Sequence, residues 1–398
     1  MLLLEQAQDQ IRQAVRACAT VETVPLAQAL HRFVAEPLRA QVANPAFDNS
    51  AMDGYAVATA DLVAAGFRLP LRGESSCGDA PATLARATTM RIFTGAPLPA
   101  GADAVVIQED IHIDGDHVVF PHTVRPGQNI RHAGEDFAAG TPLYGTGRRL
   151  HARDIALLSA AGIATVAVFK RPRVLVFATG NELVSPGQAL RPGQIYESNR
   201  LATLLQLQQL GADAVDGGTV ADDETALHAA LDAAGDYDFV ITSGGVSVGD
   251  HDLVKRVFAE RGEIDFWKVR IKPGKPVAFG RLGTRGHFVG LPGNPVSSLV
   301  TFKLFVEPAL LAWSHAPYAP LQLQAIAANG FRRHAGRTEF LRARLHAENG
   351  ALTVEVLQGQ GSHMLGTLRN TNALARVEHD STGFDAGAAV TVLPLDIV

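Results

Sequence analysis

The sequence predicts a multidomain chain of class α/β plus β, with a central, mostly parallel α/β domain and flanking β domains. Three observations predict it. Between residues 173 and 313, apolar runs such as "RVLVFATG" and "YDFVITSGG" alternate with stretches of helical spacing, the pattern of a parallel sheet covered by helices. The segments before and after carry short β-branched runs cut by Gly and Pro. A chain of 398 residues has the length of two to four domains at about 100–200 residues each.

Taken in order, residues 5 to about 18 read as a helix, with Ala7, Ile11, Ala14, Val15 and Cys18 at helical spacing. From about Val42 to Leu143, runs such as "ADAVVIQE" and "HVVFPHTV" read as strands joined by turns. The style changes near Arg173. Helices are expected over about 199–210, 224–234 and 251–260, and a long one over about 295–313, with strands at "EIDFWKV", "PVAFG" and "HFVGLPG". Pro317 and Pro320 mark a linker. The alternating runs "LTVEVL" and "AVTVLPL" beyond it predict a small β domain.

Composition bounds the function classes. The chain is 47% hydrophobic and 19% charged, as soluble globular proteins are. A formal net charge of −5 predicts neither nucleic acid nor membrane as partner. Cys18 and Cys77 give no zinc spacing and fit a reducing compartment. No HExxH pair, signal-peptide core or apolar span of ~20 residues is visible, so a cytoplasmic protein is expected.

In open parallel sheets, ligands bind beyond the carboxyl ends of the strands. Here one such end carries Gly180 and Glu182. A second runs through Ser243, Gly244, Gly245, Ser247 and Gly249 to Asp250 and Asp252, and a third carries Gly293 and Asn294 just before a helix. Glycine loops ahead of helix N-termini expose N–H groups that favour phosphate. The acids beside them would repel bare phosphate, and a divalent cation such as Mg²⁺ resolves that conflict. The plainer alternative is tight turns with helix-capping acids. Asp222 and Asp223 precede a helix and suit a cap as well as a ligand role. "GVSVG" also matches a nucleophile elbow with Ser247 as nucleophile, but acids crowd its exit. Neither a Walker A motif nor G-x-G-x-x-G is present.

Six Lys face 29 Arg, yet Lys268, Lys272 and Lys275 fall within eight residues. Pro273 and Pro276 stiffen the turn that carries the last two, and compact ammonium charges suit a tetrahedral oxyanion. Solvated surface lysines are the alternative.

At this point the motifs "FDNSAMDGYAV", "IFTGAPLP", "GQNIRHAGED", "TSGGVSVGDHD", "IKPGKPVAFG" and "GLPGNPVSS" together resemble the molybdopterin molybdenumtransferase family, which includes bacterial MoeA proteins and gephyrin E domains. The motifs follow in family order from Phe47 to Ser362. The resemblance implies a homodimer of four-part subunits: residues 1–20 with 169–315 as the α/β molybdopterin-binding domain, 21–41 with 141–168 as a β-rich linker domain, 42–140 as an outlying β domain and 316–398 as a C-terminal β domain. It implies Asp53, Thr94, Asp136, Glu182, Asp222 and Asp252 as cleft residues, with Glu182 and Asp252 the best metal ligands. It implies Ser243, Gly244, Gly245, Ser247, Gly249, Gly293 and Asn294 for the pterin and adenylate. Lys272, Lys275, Ser297, Arg342 and Ser362 resemble the molybdate-holding set. Asn181 stands where many relatives have Asp, which leaves one fewer carboxylate.

The implied reaction takes adenylated molybdopterin and molybdate, uses Mg²⁺, and releases AMP. A molybdopterin adenylyltransferase and molybdoenzyme-maturation proteins are the expected partners besides a second copy. The rival readings are a non-catalytic cofactor carrier or scaffold and a Ser247 hydrolase.

Overall fold

The structure is a computed structural model and describes residues 1–233, 235–245, 256–257, 260–283, 286–348 and 350–395. Its centre is a six-stranded sheet in the order Asp213–Val220, Arg173–Thr179, Phe239–Ser243, Gly286–Leu291, Pro276–Leu282, Gly262–Lys268. The first four strands are parallel and the last two run antiparallel. Phe239–Ser243 is buried along its whole length, as a strand covered on both faces must be. The expected α/β class with flanking β sheets is the class observed.

Helices cover the sheet. Leu4–Ala14 presents Leu4, Ala7 and Ile11 to the core. It ends four residues before the expected position. The backbone N–H of Arg16 is captured by His287 Nε2 at 3.1 Å and that of Cys18 by the Trp313 carbonyl at 2.8 Å, so the chain leaves helical geometry to meet them. Asn199–Gln209 and Glu224–Asp232 form as the spacing predicts. The expected helix over 251–260 falls almost wholly outside the described residues. Pro295–Trp313 is continuous but contains a π-helical turn at Phe302–Val306. By length and composition it could cross a membrane, yet it is mostly buried, as a core helix is.

Three β assemblies flank this domain. Residues 54–119 build a six-stranded sheet in which Gly54–Val57 lies between Ala104–Ile107 and Thr89–Ile92. Val21–Pro25 pairs antiparallel with Thr165–Phe169 beside the helix Ala152–Ala160. The tail sheet centres on the long strand Thr338–Glu348, which pairs with Ala351–Val356 and Ala373–Val377. The tail is stitched to the α/β domain by a two-residue parallel pairing, Ile271 with Thr338 and Lys272 with Glu339. That seam matters for the site.

Candidate functional site

The carboxyl ends of the parallel strands open into a cleft of about 1560 Å³. Glu182 and Asp222 line it from the ends of two neighbouring strands. Asp223, not Asp222, caps the next helix, its side chain accepting from Ala226 N at 2.9 Å. Asp222 is therefore left free for the cleft. Its carboxyl is pushed above the usual range, first by burial and then by the neighbouring Glu182 charge. Two hard oxygen donors that repel one another beside phosphate-accepting loops fit a divalent cation. Among the described residues no group of three His, Cys, Asp or Glu side chains could hold a metal. Asp252, the further expected ligand, lies outside the described residues, as do Ser247 and Gly249. Asn181, which supplies no carboxylate, accepts from the Asp222 backbone N–H at 3.2 Å.

Ser243, Gly244, Gly245, Gly293 and Asn294 form the cleft's middle. Gly244 has φ +97°, and a Cβ there would sit 2.9 Å from the Thr179 carbonyl oxygen, so only glycine lets the loop lie this close to the neighbouring strand end. Asn199 Nδ2 ties two strand ends together, donating to Ser243 Oγ at 2.9 Å and to the Gly293 carbonyl at 2.8 Å. Two helix N-termini, at Asn199 and Pro295, begin at the cleft wall. The sequence reading passed over Asn199. Its position at the first turn of a helix following a strand end was the available signal.

Lys272, Lys275, Ser297 and Ser362 line the opposite side. Gly274 holds the Lys turn with φ +99°, and a Cβ there would meet Thr301 Cγ2 at 2.4 Å. The turn is thus seated directly on the long helix. Lys272 Nζ contacts Glu339 Oε1 at 2.7 Å. Arg337 also lines the cleft and was missed. It is an ordinary Arg in an Arg-rich tail, and only the folded seam brings it beside the lysines.

Arg342 is not in the cleft. The strand Thr338–Glu348 buries it to 1% exposure, and its guanidinium donates to the carbonyls of Gly359 at 2.6 Å, Gly361 at 3.1 Å and Met364 at 3.1 Å. It holds the loop that carries Ser362, whose carbonyl in turn accepts from Val296 N at 3.1 Å. The expectation of a direct oxyanion contact gives way to a supporting one, because the side chain is buried away from the cleft and both its Nη groups donate to backbone carbonyls.

Asp53, Thr94 and Asp136 do not line the cleft of their own chain. Asp53 accepts from Thr94 N at 2.7 Å and Thr94 Oγ1 at 2.8 Å, which holds its carboxyl below the usual range. Asp136 accepts from Asn44 Nδ2 at 3.0 Å.

Three family models match the chain: the MoeA N-terminal region (domain I and II) over residues 2–162, a probable molybdopterin binding domain over 175–312, and the MoeA C-terminal region (domain IV) over 324–395. A molybdopterin molybdenumtransferase of Haemophilus influenzae is 37% identical over 406 residues, covering 100% of this chain and 99% of the relative. Molybdopterin molybdenumtransferase 2 of Mycobacterium tuberculosis is 38% identical, covering 99% of this chain and 100% of the relative. The crystal structure of a molybdopterin biosynthesis MoeA protein from a Pyrococcus species superposes with a TM-score of 0.81 at 31% identity, covering 100% of both chains.

Proposed function

The chain belongs to the MoeA family of molybdopterin molybdenumtransferases, and from that premise we propose how its cleft works. It is a transferase that inserts molybdenum in molybdenum cofactor biosynthesis. The proposal concerns the substrate form, the metal and the assembly. Molybdopterin enters as its adenylate, molybdate is the second substrate, and AMP leaves as the phosphoanhydride breaks. The observation that carries this reading is the meeting, in one cleft, of an acid pair, two glycine loops at helix N-termini, and a Lys–Arg–Ser set.

The roles follow from position. Gly245 and Gly293, with the helix N-termini beside them, offer N–H groups to the phosphates, while Gly244, whose N–H is taken by the Leu291 carbonyl, shapes the loop. Lys272, Lys275 and Arg337 supply positive charge for the molybdate dianion, with Ser297 and Ser362 as hydroxyl donors. Glu182 and Asp222 would hold Mg²⁺, with Asp252 as a further ligand. Bound there, Mg²⁺ would offset charge on the phosphate oxygens during cleavage. The chain acts as a homodimer in the cytoplasm, and a partner subunit brings Asp53, Thr94 and Asp136 to the cleft. A molybdopterin adenylyltransferase supplies the substrate, and molybdoenzyme-maturation proteins take the product.

The test supplies purified protein with adenylated molybdopterin, molybdate and Mg²⁺, and follows AMP. Release that depends on molybdate and stops in excess EDTA is expected. Release without molybdate, or none at all, overturns the proposed reaction. Lys275→Ala should raise the molybdate needed by roughly 10- to 150-fold, the loss of one hydrogen bond to a charged group. High molybdate should rescue it.

A further inference from the structure

We propose that Glu339 is a positioning residue for molybdate, acting through Lys272. The inference rests on the molybdate reading of the cleft. Glu339 is 3% exposed and lies in the seam where the tail meets the α/β domain. Its Oε1 is 2.7 Å from Lys272 Nζ, while the Lys272 side chain is 46% exposed toward the cleft. Its Oε2 is 3.6 Å from Arg333 Nη1. The Arg333 side chain is itself only 7% exposed, and it also donates to the carbonyl of Arg337, the third cation of the cleft.

One chain of ion pairs, Arg333–Glu339–Lys272, thus sets two of the three cleft cations from behind. Lys272 is fixed through its ammonium, and Arg337 through its backbone. Lysine has a flexible four-carbon stem and three rotatable donors. Tethered by one donor to an immobile carboxylate, it keeps two for the oxyanion at a fixed place. Untethered, it must be ordered each time the anion binds, and that ordering subtracts from affinity. The buried carboxylate is not a rival for the site. It faces the seam, and its second oxygen is engaged by Arg333.

Two accounts of Glu339 predict opposite signs. If it merely lowers the positive potential of the cleft, Glu339→Gln should tighten molybdate. If it positions Lys272, the same change should weaken it. The experiment titrates full-length protein with molybdate alone by calorimetry. It compares wild type, Lys272→Ala, Glu339→Gln and the double variant, and it also measures KM for molybdate against kcat. Positioning predicts that Glu339→Gln weakens molybdate about tenfold and raises KM, with kcat at saturating molybdate unchanged. The double variant should bind no worse than Lys272→Ala alone, because the two residues act through one ammonium.

Tighter or unchanged binding in Glu339→Gln, beside weakened binding in Lys272→Ala, overturns the positioning role and leaves the molybdate pocket standing. Unchanged binding in Lys272→Ala overturns the pocket reading and this inference with it. Should Glu339→Gln fail to fold, Glu339→Asp retains the charge but retracts it by one methylene. A loss of about threefold is expected there, and wild-type affinity would refute the role.

Discussion

Replacing Arg342 with Met keeps a long apolar stem in the strand but strips three donors from the loop over 359–364. Each of those bonds joins a charged guanidinium to a carbonyl. Hydrogen bonds to charged groups contribute about 1.5–3 kcal/mol each. Simple addition would overstate the loss. Burying the guanidinium carries its own cost, seen in the downward push that burial gives its pKa, and the loop can turn some carbonyls to water. A net loss of about 3 kcal/mol is expected, the range seen when a buried polar network is broken. That corresponds to roughly a 150-fold rise in local opening.

The assay is amide hydrogen exchange. Val296 N–H donates to the Ser362 carbonyl and Met364 N–H to the Gly361 carbonyl, so both report on the loop. Their exchange should rise by about a hundredfold in Arg342→Met, while amides in the strand Phe239–Ser243 should exchange as before. Molybdate affinity should fall as a consequence, and high molybdate should restore part of the protection. If the variant loses molybdate but keeps wild-type exchange at Val296 and Met364, Arg342 touches the anion directly and the supporting role is wrong.

Three further outcomes are expected. Glu182→Gln and Asp222→Asn should each weaken Mg²⁺ by tenfold or more, read as the loss of Mg²⁺-dependent shift in melting temperature, and full retention in both would remove the metal from this acid pair. Coexpressing Asp53→Ala and Glu182→Ala chains should restore on the order of a quarter of wild-type activity, since half the dimers are mixed and each has one intact cleft; no recovery would show that the clefts are not shared. His287 is buried against Phe239 and Phe279, and burial, with Arg281 and Arg16 nearby, pushes its pKa from 6.5 to about 4. The fold thus favours the neutral ring, its contribution is present above pH 6.5, and it is lost as pH falls from 6.5 through about 4; between pH 6.5 and 5 this amounts to about 2 kcal/mol. In His287→Gln the acid slope of urea stability should flatten by that amount, and an unchanged slope would assign it elsewhere.

The parts legible in the sequence were those set by local chemistry. Apolar runs ending in glycine announced the parallel strands, because a strand covered on both faces is built mostly from apolar residues. The acids and lysines at the strand ends could be read as a site because each sits next to a turn whose shape its neighbours dictate. What was hidden depended on pairing across distance. Arg337 and Glu339 are ordinary tail residues until two residues of parallel ladder place them against the Lys turn. Arg342 carries the same charge as Arg337 five positions earlier. Only burial distinguishes a residue that lines the cleft from one that holds its wall. The early end of the first helix was hidden for the same reason, since His287 and Trp313 capture the chain from far away in sequence.

Strand order also explains why acids and cations can share one cleft without neutralising each other. Glu182 and Asp222 follow the first two strands of the sheet, and the glycine loops follow the third and fourth. The Lys turn joins the fifth and sixth strands. At about 4.8 Å between strands, the acid pair and the lysines lie some 15–20 Å apart along the sheet edge. That exceeds the Debye length of about 8–10 Å at physiological salt. Each pole therefore keeps its own sign, as the proposed divalent cation and oxyanion require. Gly244, Gly245 and Gly293, which lie between them, suit the phosphates of a proposed ligand long enough to reach both. Had the chain placed the lysines after the strand Phe239–Ser243, they would have paired with Glu182, and neither charge would have been available to a substrate.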